Sequence, residues 1–231
     1  MTKLFLFSLL AAATFAAEQN QWMDISVERL LGPNWRAIDP ALVLNKDDLI
    51  RFRFRSNFDG YLYVINRGSS GKELLLFPLA ETGTSNKIQA GRDYMIPSMA
   101  TSANFRISGP AGYDSVYWLV SPVPLSNPPT LPQSPHTPRE DAPSENVKPS
   151  QTARLTPRCD PSQMQARGLC LDSDAGPRNV DDLSQAPNSI TRTPQLKARD
   201  ITIIQRKDRT RLSAGTSLGG PLVYEFRLAH K

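Results

Sequence analysis

The stretch DLIRFRFRSNFDGYLYVINRGSSGKELLLFP, Asp48–Pro78, decides the fold class. Ile50, Phe52 and Phe54 alternate strictly with Arg51, Arg53 and Arg55. That period of two predicts a strand with one buried and one solvated face. Asn57-Phe58-Asp59-Gly60 then interrupts the run with turn-forming residues, Gly60 being able to take a positive φ. YLYVIN is apolar on both faces, which predicts a central strand covered on both sides. Arg67-Gly68-Ser69-Ser70-Gly71 makes a turn and Glu73–Phe77 returns as the second strand of a hairpin. Pro78 ends it, because proline cannot donate to a ladder. Tyr61, Leu62, Val64 and Phe77 are read as fold determinants, since alternating aromatic and aliphatic residues in strands pack.

The same pattern extends outward. Upstream, MDISVERL alternates Ile25 and Val27 against Ser26 and Glu28. Downstream, RDYMIP, ANFRIS and SVYWLVS are further short strands separated by Ala90-Gly91 and GPAGY turns. Seven or eight short strands with regular turn signals and no helical period predict an all-β protein, an antiparallel β-sandwich of Ig-like or jelly-roll-like type over residues 18–122.

Composition divides the rest. Fourteen of the twenty prolines fall between Pro122 and Pro194. Residues 123–158 are poor in large apolar side chains and cannot offset the entropy of ordering, so they read as a disordered, Pro-rich linker. Residues 159–200 hold the two cysteines, Cys159 and Cys170, read as one local disulfide. Between them Asp160 and Pro161 fit an N-cap and first helical position, and Gly168 a C-terminal stop where the chain turns back. Residues 201–231 offer two strands, DITIIQRK and PLVYEFRLAH. In the second, Leu222, Tyr224, Phe226 and Leu228 form an apolar face opposed by Val223, Glu225 and Arg227. Two strands alone are marginal. This tail is therefore expected to return and pair with an edge of the sandwich, the alternative being another protein.

The order of Asp59-Gly60-Tyr61-Leu62-Tyr63, Leu76-Phe77-Pro78, Ala90-Gly91, Ile96-Pro97, Gly109-Pro110-Ala111-Gly112 and Trp118-Leu119-Val120-Ser121-Pro122 resembles the exported bacterial family called domain of unknown function four-three-eight-four. The resemblance covers about Asn45 to Pro122. Where the family's pattern has glycine-aspartate ahead of the arginine strand, this chain has Asp47-Asp48. The resemblance implies a β-sandwich, no established chemistry and an accessory role.

MTKLFLFSLLAAATFAA has the charged, apolar and small-residue parts of a signal peptide, read as residues 1–16. It is too short for a stable anchor and no longer apolar run follows, which predicts an exported chain, periplasmic or extracellular, with no transmembrane anchor. Export permits the disulfide.

Catalytic constellations are scarce. The histidines, His136 in the linker and His230 next to the end, are expected to lie where no base is held rigidly. Asp47, Asp48, Asp59, Glu73, Asp93 and Asp114 sit mostly at turns, where solvated carboxylates are common. The aspartates of residues 172–182 depart from calcium-loop spacing, with a solvated acidic loop as the plainer reading. No catalytic residue, cofactor or metal is assigned.

Charge is uneven. Residues 18–122 carry eleven basic and eleven acidic groups, 123–200 nine of each, and 201–231 six basic against two acidic. A neutral main domain argues against nucleic acid as partner. Two basic surfaces remain as the candidate interaction surface. Arg51, Arg53 and Arg55, with Arg106 near them, form one, balanced by neighbouring acids in the plainer reading. Arg206, Lys207, Arg209 and Arg211 form the other, expected on a turn with only Asp208 nearby. Together these features predict a non-enzymatic exported envelope interaction or adaptor protein. Its expected partner is an envelope protein. The alternative is an anionic envelope ligand, a cell-wall polymer or lipopolysaccharide, and a two-carboxylate hydrolase is the third reading.

Overall fold

The computed structural model describes residues 20–80, 82–98, 104–126, 156–180, 183–193, 196, 201–206, 208–214 and 220–231. The signal segment 1–16, linker residues 127–155 with His136, and Asp181, Asp182 and Lys207 lie outside the described residues.

The described chain contains β1 (Gln21–Leu31), β2 (Asn34–Ala37), β3 (Leu49–Ser56), β4 (Gly60–Arg67), β5 (Glu73–Phe77), β6 (Lys87–Ile88) and β7 (Asp93–Ile96). It continues with β8 (Phe105–Arg106), β9 (Gly112–Ser121), α1 (Pro161–Arg167), β10 (Gly176–Asn179), α2 (Asn188–Thr191), β11 (Ile201–Gln205), β12 (Thr210–Ala214) and β13 (Leu222–His230). All strand pairings between these elements are antiparallel, and two sheets face each other as the alternation predicts. The first runs β11-β12-β1-β3-β7, with β2 on β1 and β8 on β3. The second runs β10-β13-β9-β4-β5, with β6 on β4.

Inward side chains of both sheets form one core. Ile25, Phe52, Phe54, Leu62, Val64, Trp118, Tyr224 and Phe226 are all 0–1% exposed. Trp118 is its centre: its ring lies 5.3 Å edge-on to Phe52, 5.9 Å from Phe54 and 6.2 Å from Tyr224, the last two stacked. Offset and edge geometries of this kind add to area burial. The two apolar faces expected of YLYVIN are both covered. Tyr63 and Ile65 point away from the main core into a second cluster with Tyr117, Leu119 and Val223, closed by Ala186 and Ile190 from the α2 region. Tyr61 belongs to its rim, and Leu62, Val64 and Phe77 to the main core.

Two turn positions show why their residue types are needed. Asp47, where the family pattern places glycine, has φ 69°, the left-handed region that Asp tolerates through its short polar side chain. Gly60 does not use a positive φ. It is needed because a Cβ there would stand 2.8 Å from the Ser121 carbonyl oxygen.

The tail returns to the sandwich, but its placement differs from expectation. It contributes three strands instead of two, divided between the sheets. The hairpin β11–β12 attaches to β1, and β13 takes an interior place between β9 and β10 rather than an edge. The reason is the apolar face of PLVYEFRLAH: nine residues of it pair along β9, and Leu222, Tyr224, Phe226 and Leu228 are each at most 5% exposed.

The cysteine segment forms as read. Asp160 caps α1 by accepting from the Ser162 and Gln163 amides, Pro161 opens the helix and Gly168 ends it at φ 64°. That reversal brings the Cα atoms of Cys159 and Cys170 to 4.6 Å in a disulfide. The bridge docks on the body through the Val43 amide, which donates to the Cys170 carbonyl at 2.9 Å.

Candidate interaction face

Alternation turns every second side chain of the first sheet outward. Register then decides which of them meet. Asp24 on β1 stands opposite Arg211 of β12 on one side and Arg55 of β3 on the other, and Arg55 stands opposite Asp93 of β7. The row reads basic, acidic, basic, acidic across four strands. Arg211 grips Asp24 with two hydrogen bonds of 2.8 Å each, and its guanidinium carbon lies 4.1 Å from the centre of the Trp22 ring. The Asp24 hydrogen bonds raise the Arg211 pKa above its ordinary value. Two pleat repeats away along β1, Arg51 donates to Glu28 at 2.7 Å and covers Trp35 at 4.5 Å. Arg53 approaches the other Glu28 oxygen at 3.5 Å. Each end of the face thus holds a tryptophan, an arginine and a carboxylate in contact, a planar guanidinium serving both partners.

The eight sequence candidates are therefore sorted. Arg51, Arg53, Arg55 and Arg211 share this face. Arg106 lies at its margin, opposite Leu49, and is 3.4 Å from Asp47, with both side chains about 60% exposed. Arg206 and Arg209 flank the β11–β12 turn, joined by a 2.8 Å backbone hydrogen bond, and Lys207 lies outside the described residues. Arg211 was expected on that turn with Asp208 as its only acid. It is instead on the strand, paired with Asp24, a carboxylate 187 residues away that only the register reveals. Arg53 keeps half of its side chain exposed, and Arg55 is exposed. Sequence reasoning missed Trp22 and Trp35; their period with Asp24 and Glu28 along and beside β1 was the available signal.

The carboxylates read as hydrolase candidates are dispersed and partnered. Asp48 holds Arg29 at 3.0 Å, Glu73 holds Arg67 at 2.7 Å and Asp59 accepts from the Ala90 amide. His230 corrects its expectation: it is 1% exposed within β13, because the strand buries its last residues against β9 and Leu44. Its Nε2 lies 3.3 Å from Asp114, which also accepts from the Ser69 amide at 2.7 Å. The Ser69 hydroxyl donates to the Pro110 carbonyl, so the three side chains do not form a relay from nucleophile to base. Asp172, read as a calcium candidate, is 3% exposed and accepts from the Tyr113 hydroxyl and the Arg158 and Asp174 amides. Among the described residues no group of His, Cys, Asp and Glu is arranged to hold a metal ion. Among them, too, no helix is long and apolar enough to cross a membrane.

Residues 43–124 match the model of a family described as Domain of unknown function (DUF4384). This segment, about a third of the chain, resembles that family. No curated protein and no solved structure matches the chain. The DUF4384 segment supplies β3–β9 and hence Arg51, Arg53 and Arg55. The residues that complete the face, Trp22, Asp24, Glu28, Trp35 and Arg211, all come from outside it.

Beside the second apolar cluster, the part of the second sheet's outward face at Ser115 and Glu225 is polar but closed. Ser115 donates to Glu225 at 2.6 Å and Arg227 to the same oxygen at 3.0 Å. Burial, and then the nearby Glu225 charge, push the Tyr117 hydroxyl up to about 12 from 10.0. Burial and the Asp172 contact raise Tyr113 as well, and burial alone raises Tyr224. A raised folded-state pKa favours the neutral phenol, so this contribution is complete below the unfolded value of 10.0 and is lost as pH climbs towards 12. Tyr117 alone is expected to withdraw about 2–3 kcal/mol across that window. The check is tyrosinate absorbance recorded with circular dichroism during alkaline titration. The two should change together, and ionisation of all six tyrosines near 10 in the folded protein would contradict the packing.

Proposed function

We propose that this chain is a non-enzymatic, exported interaction protein of the bacterial envelope. Its working surface is the outward face of the first sheet, and its partner is an acidic patch on another envelope protein. The observation that carries this reading is the meeting of two basic segments, far apart in sequence, on either side of Asp24. Arg and Trp are the residues that most often carry interface energy, and here both are pre-positioned on rigid strands. Arg51 and Arg211 spend their charge on Glu28 and Asp24, which fixes their geometry. Arg53 and Arg55 keep exposure for a partner. Export is supported by the signal-peptide pattern of residues 1–16 and by the Cys159–Cys170 disulfide.

A photocrosslinking residue at position 53, and separately at 209, tests this in cells. The expected result is one discrete protein adduct from position 53 that disappears in a chain also carrying R55Q. The second reading places an anionic envelope polymer on the same face, and is favoured by the 52% exposure of the Arg53 side chain. It predicts no protein adduct, with salt-sensitive retention on a polymer fraction that weakens in R53Q/R55Q. No adduct and no retention would sink both.

A further inference from the structure

The outward side chains of the first sheet fall into rows that cross the strands. The row through Asp24 holds Arg211, Arg55 and Asp93 and alternates in sign. The row through Glu28 sets it against Arg51. A middle row runs through Ser26, which stands opposite Arg53 of β3, and Arg53 in turn stands opposite Met95 of β7. On the other side of Ser26 the β1–β12 ladder has just ended, with Ile25 opposite Thr210, so the residue ahead of β12, Arg209, occupies the next position. Arg206 accompanies it across the hairpin through their 2.8 Å backbone hydrogen bond. The middle row therefore reads Arg206, Arg209, Ser26, Arg53, Met95 and contains no carboxylate.

The carboxylates around this row are committed elsewhere. Arg211 holds Asp24 at 2.8 Å and Arg51 holds Glu28 at 2.7 Å. Asp39 accepts from the Ala41 amide and the Gln205 side chain, and Asp208 is exposed in the hairpin turn. Glu28 also draws Arg53 to 3.5 Å, yet half of the Arg53 side chain stays exposed. Among the described residues the side chains of Ser26 and Arg209 have no hydrogen bond or ion pair. β12 pairs with β1 as far as Ile25 and β2 pairs with it from Glu28, so Ser26 lies in the gap between the two ladders.

We propose that this gap binds a phosphate monoester, held between Arg53 and Arg209 with the Ser26 hydroxyl beneath it. Neighbouring strands lie about 4.8 Å apart, so arginines one strand either side of Ser26 stand roughly 10 Å apart at the backbone. The serine between them is short, which leaves both guanidiniums free to reach over it to one anion. A phosphate monoester carries about two negative charges and three terminal oxygens at neutral pH. Two guanidiniums match that charge, and the serine hydroxyl supplies a further donor. A carboxylate has one charge and two oxygens, which a single arginine satisfies with its fork, so the pair selects phosphate over an acidic side chain. Arg206, at the outer end of the row, adds attraction at longer range. The inference goes beyond the protein-partner reading of this face, because it stands on the charge of one row and needs no docked protein. Phosphorylated sugars and membrane headgroups carry the same group.

Two probes test the site on the intact chain. Glucose 1-phosphate, titrated by calorimetry at fixed ionic strength, presents the free group, and glucuronate presents a carboxylate on a similar sugar. Vesicles of phosphatidylcholine with phosphatidic acid, read by cosedimentation, present the group on a membrane. Binding of at least one phosphate probe is expected, and R53Q/R209Q is expected to weaken it by about tenfold or more. R167Q/R192Q removes the same charge from exposed positions away from the row and is expected to leave binding unchanged. Retention on the vesicles assigns the ligand to a headgroup, and binding of the sugar phosphate without retention assigns it to a soluble molecule. No binding of either probe overturns the proposal. So does an equal loss in the two double variants, or glucuronate bound as tightly as glucose 1-phosphate. Circular dichroism confirms that both variants fold. Crosslinking at position 53 reads a protein adduct, so the outcome here is separate from that of the partner reading.

Discussion

A chain ending before Leu222 is expected not to fold. β13 is an interior strand, so its loss strips β9 and β10 of their common partner in one step. Leu222, Tyr224, Phe226 and Leu228 leave the main core and Val223 leaves the second cluster. At roughly 1.5–3 kcal/mol for each fully buried large side chain, the loss matches or exceeds the whole stability of an ordinary domain, about 5–15 kcal/mol. The measurement is circular dichroism with urea titration on the truncated chain. The expected result is no cooperative transition. A transition with unchanged midpoint would mean that β13 does not belong to the sandwich. Deleting the DUF4384 segment's own flanks therefore tests more than the family match does, since that match stops at residue 124.

Trp118→Ala is expected to cost about 3–5 kcal/mol, the range for emptying a buried large aromatic site. The upper half applies here. The ring is fully buried and touches Phe52 and Phe54 from one sheet and Tyr224 from its own. Rings held from both sheets cannot collapse into the space without shifting backbone, so most of the cavity persists. Trp118→Phe keeps much of the volume, and among the described residues the buried Nε1 of Trp118 has no hydrogen-bond partner to lose. It should cost markedly less than the alanine change. Chemical denaturation of both variants measures the difference, and equal, small costs would show that the two sheets are not packed through this residue.

The backbone of this fold was legible because its signals are local. Alternation in IRFRFR and ISVE names the strands and their buried faces, since side chains on a strand alternate whatever the strand pairs with. The apolar run YLYVIN named a strand covered on both sides, and both covers are present. Asp160, Pro161 and Gly168 named the start and stop of α1, because caps act within a few residues. The disulfide followed from two cysteines and a turn at glycine.

The candidate face was legible only in pieces. Arg51, Arg53 and Arg55 could be placed on one strand face by period two, but not assigned to Glu28 or left open. Arg211 looked like a free charge near a turn, and His230 like a loose penultimate residue. Asp24 restrains the first, and β9 and Leu44 bury the second. Both outcomes depend on which strands are neighbours, and neighbours here lie as much as 187 residues apart. A strand's period is set by its own backbone, so the amino-acid sequence by itself determined most of the longer strands, their faces and the capped helix, but not β2, β6, β10 or the third tail strand. Strand order and register arise from burying all apolar faces at once, so only the tertiary structure decided which arginines are spent and which are exposed.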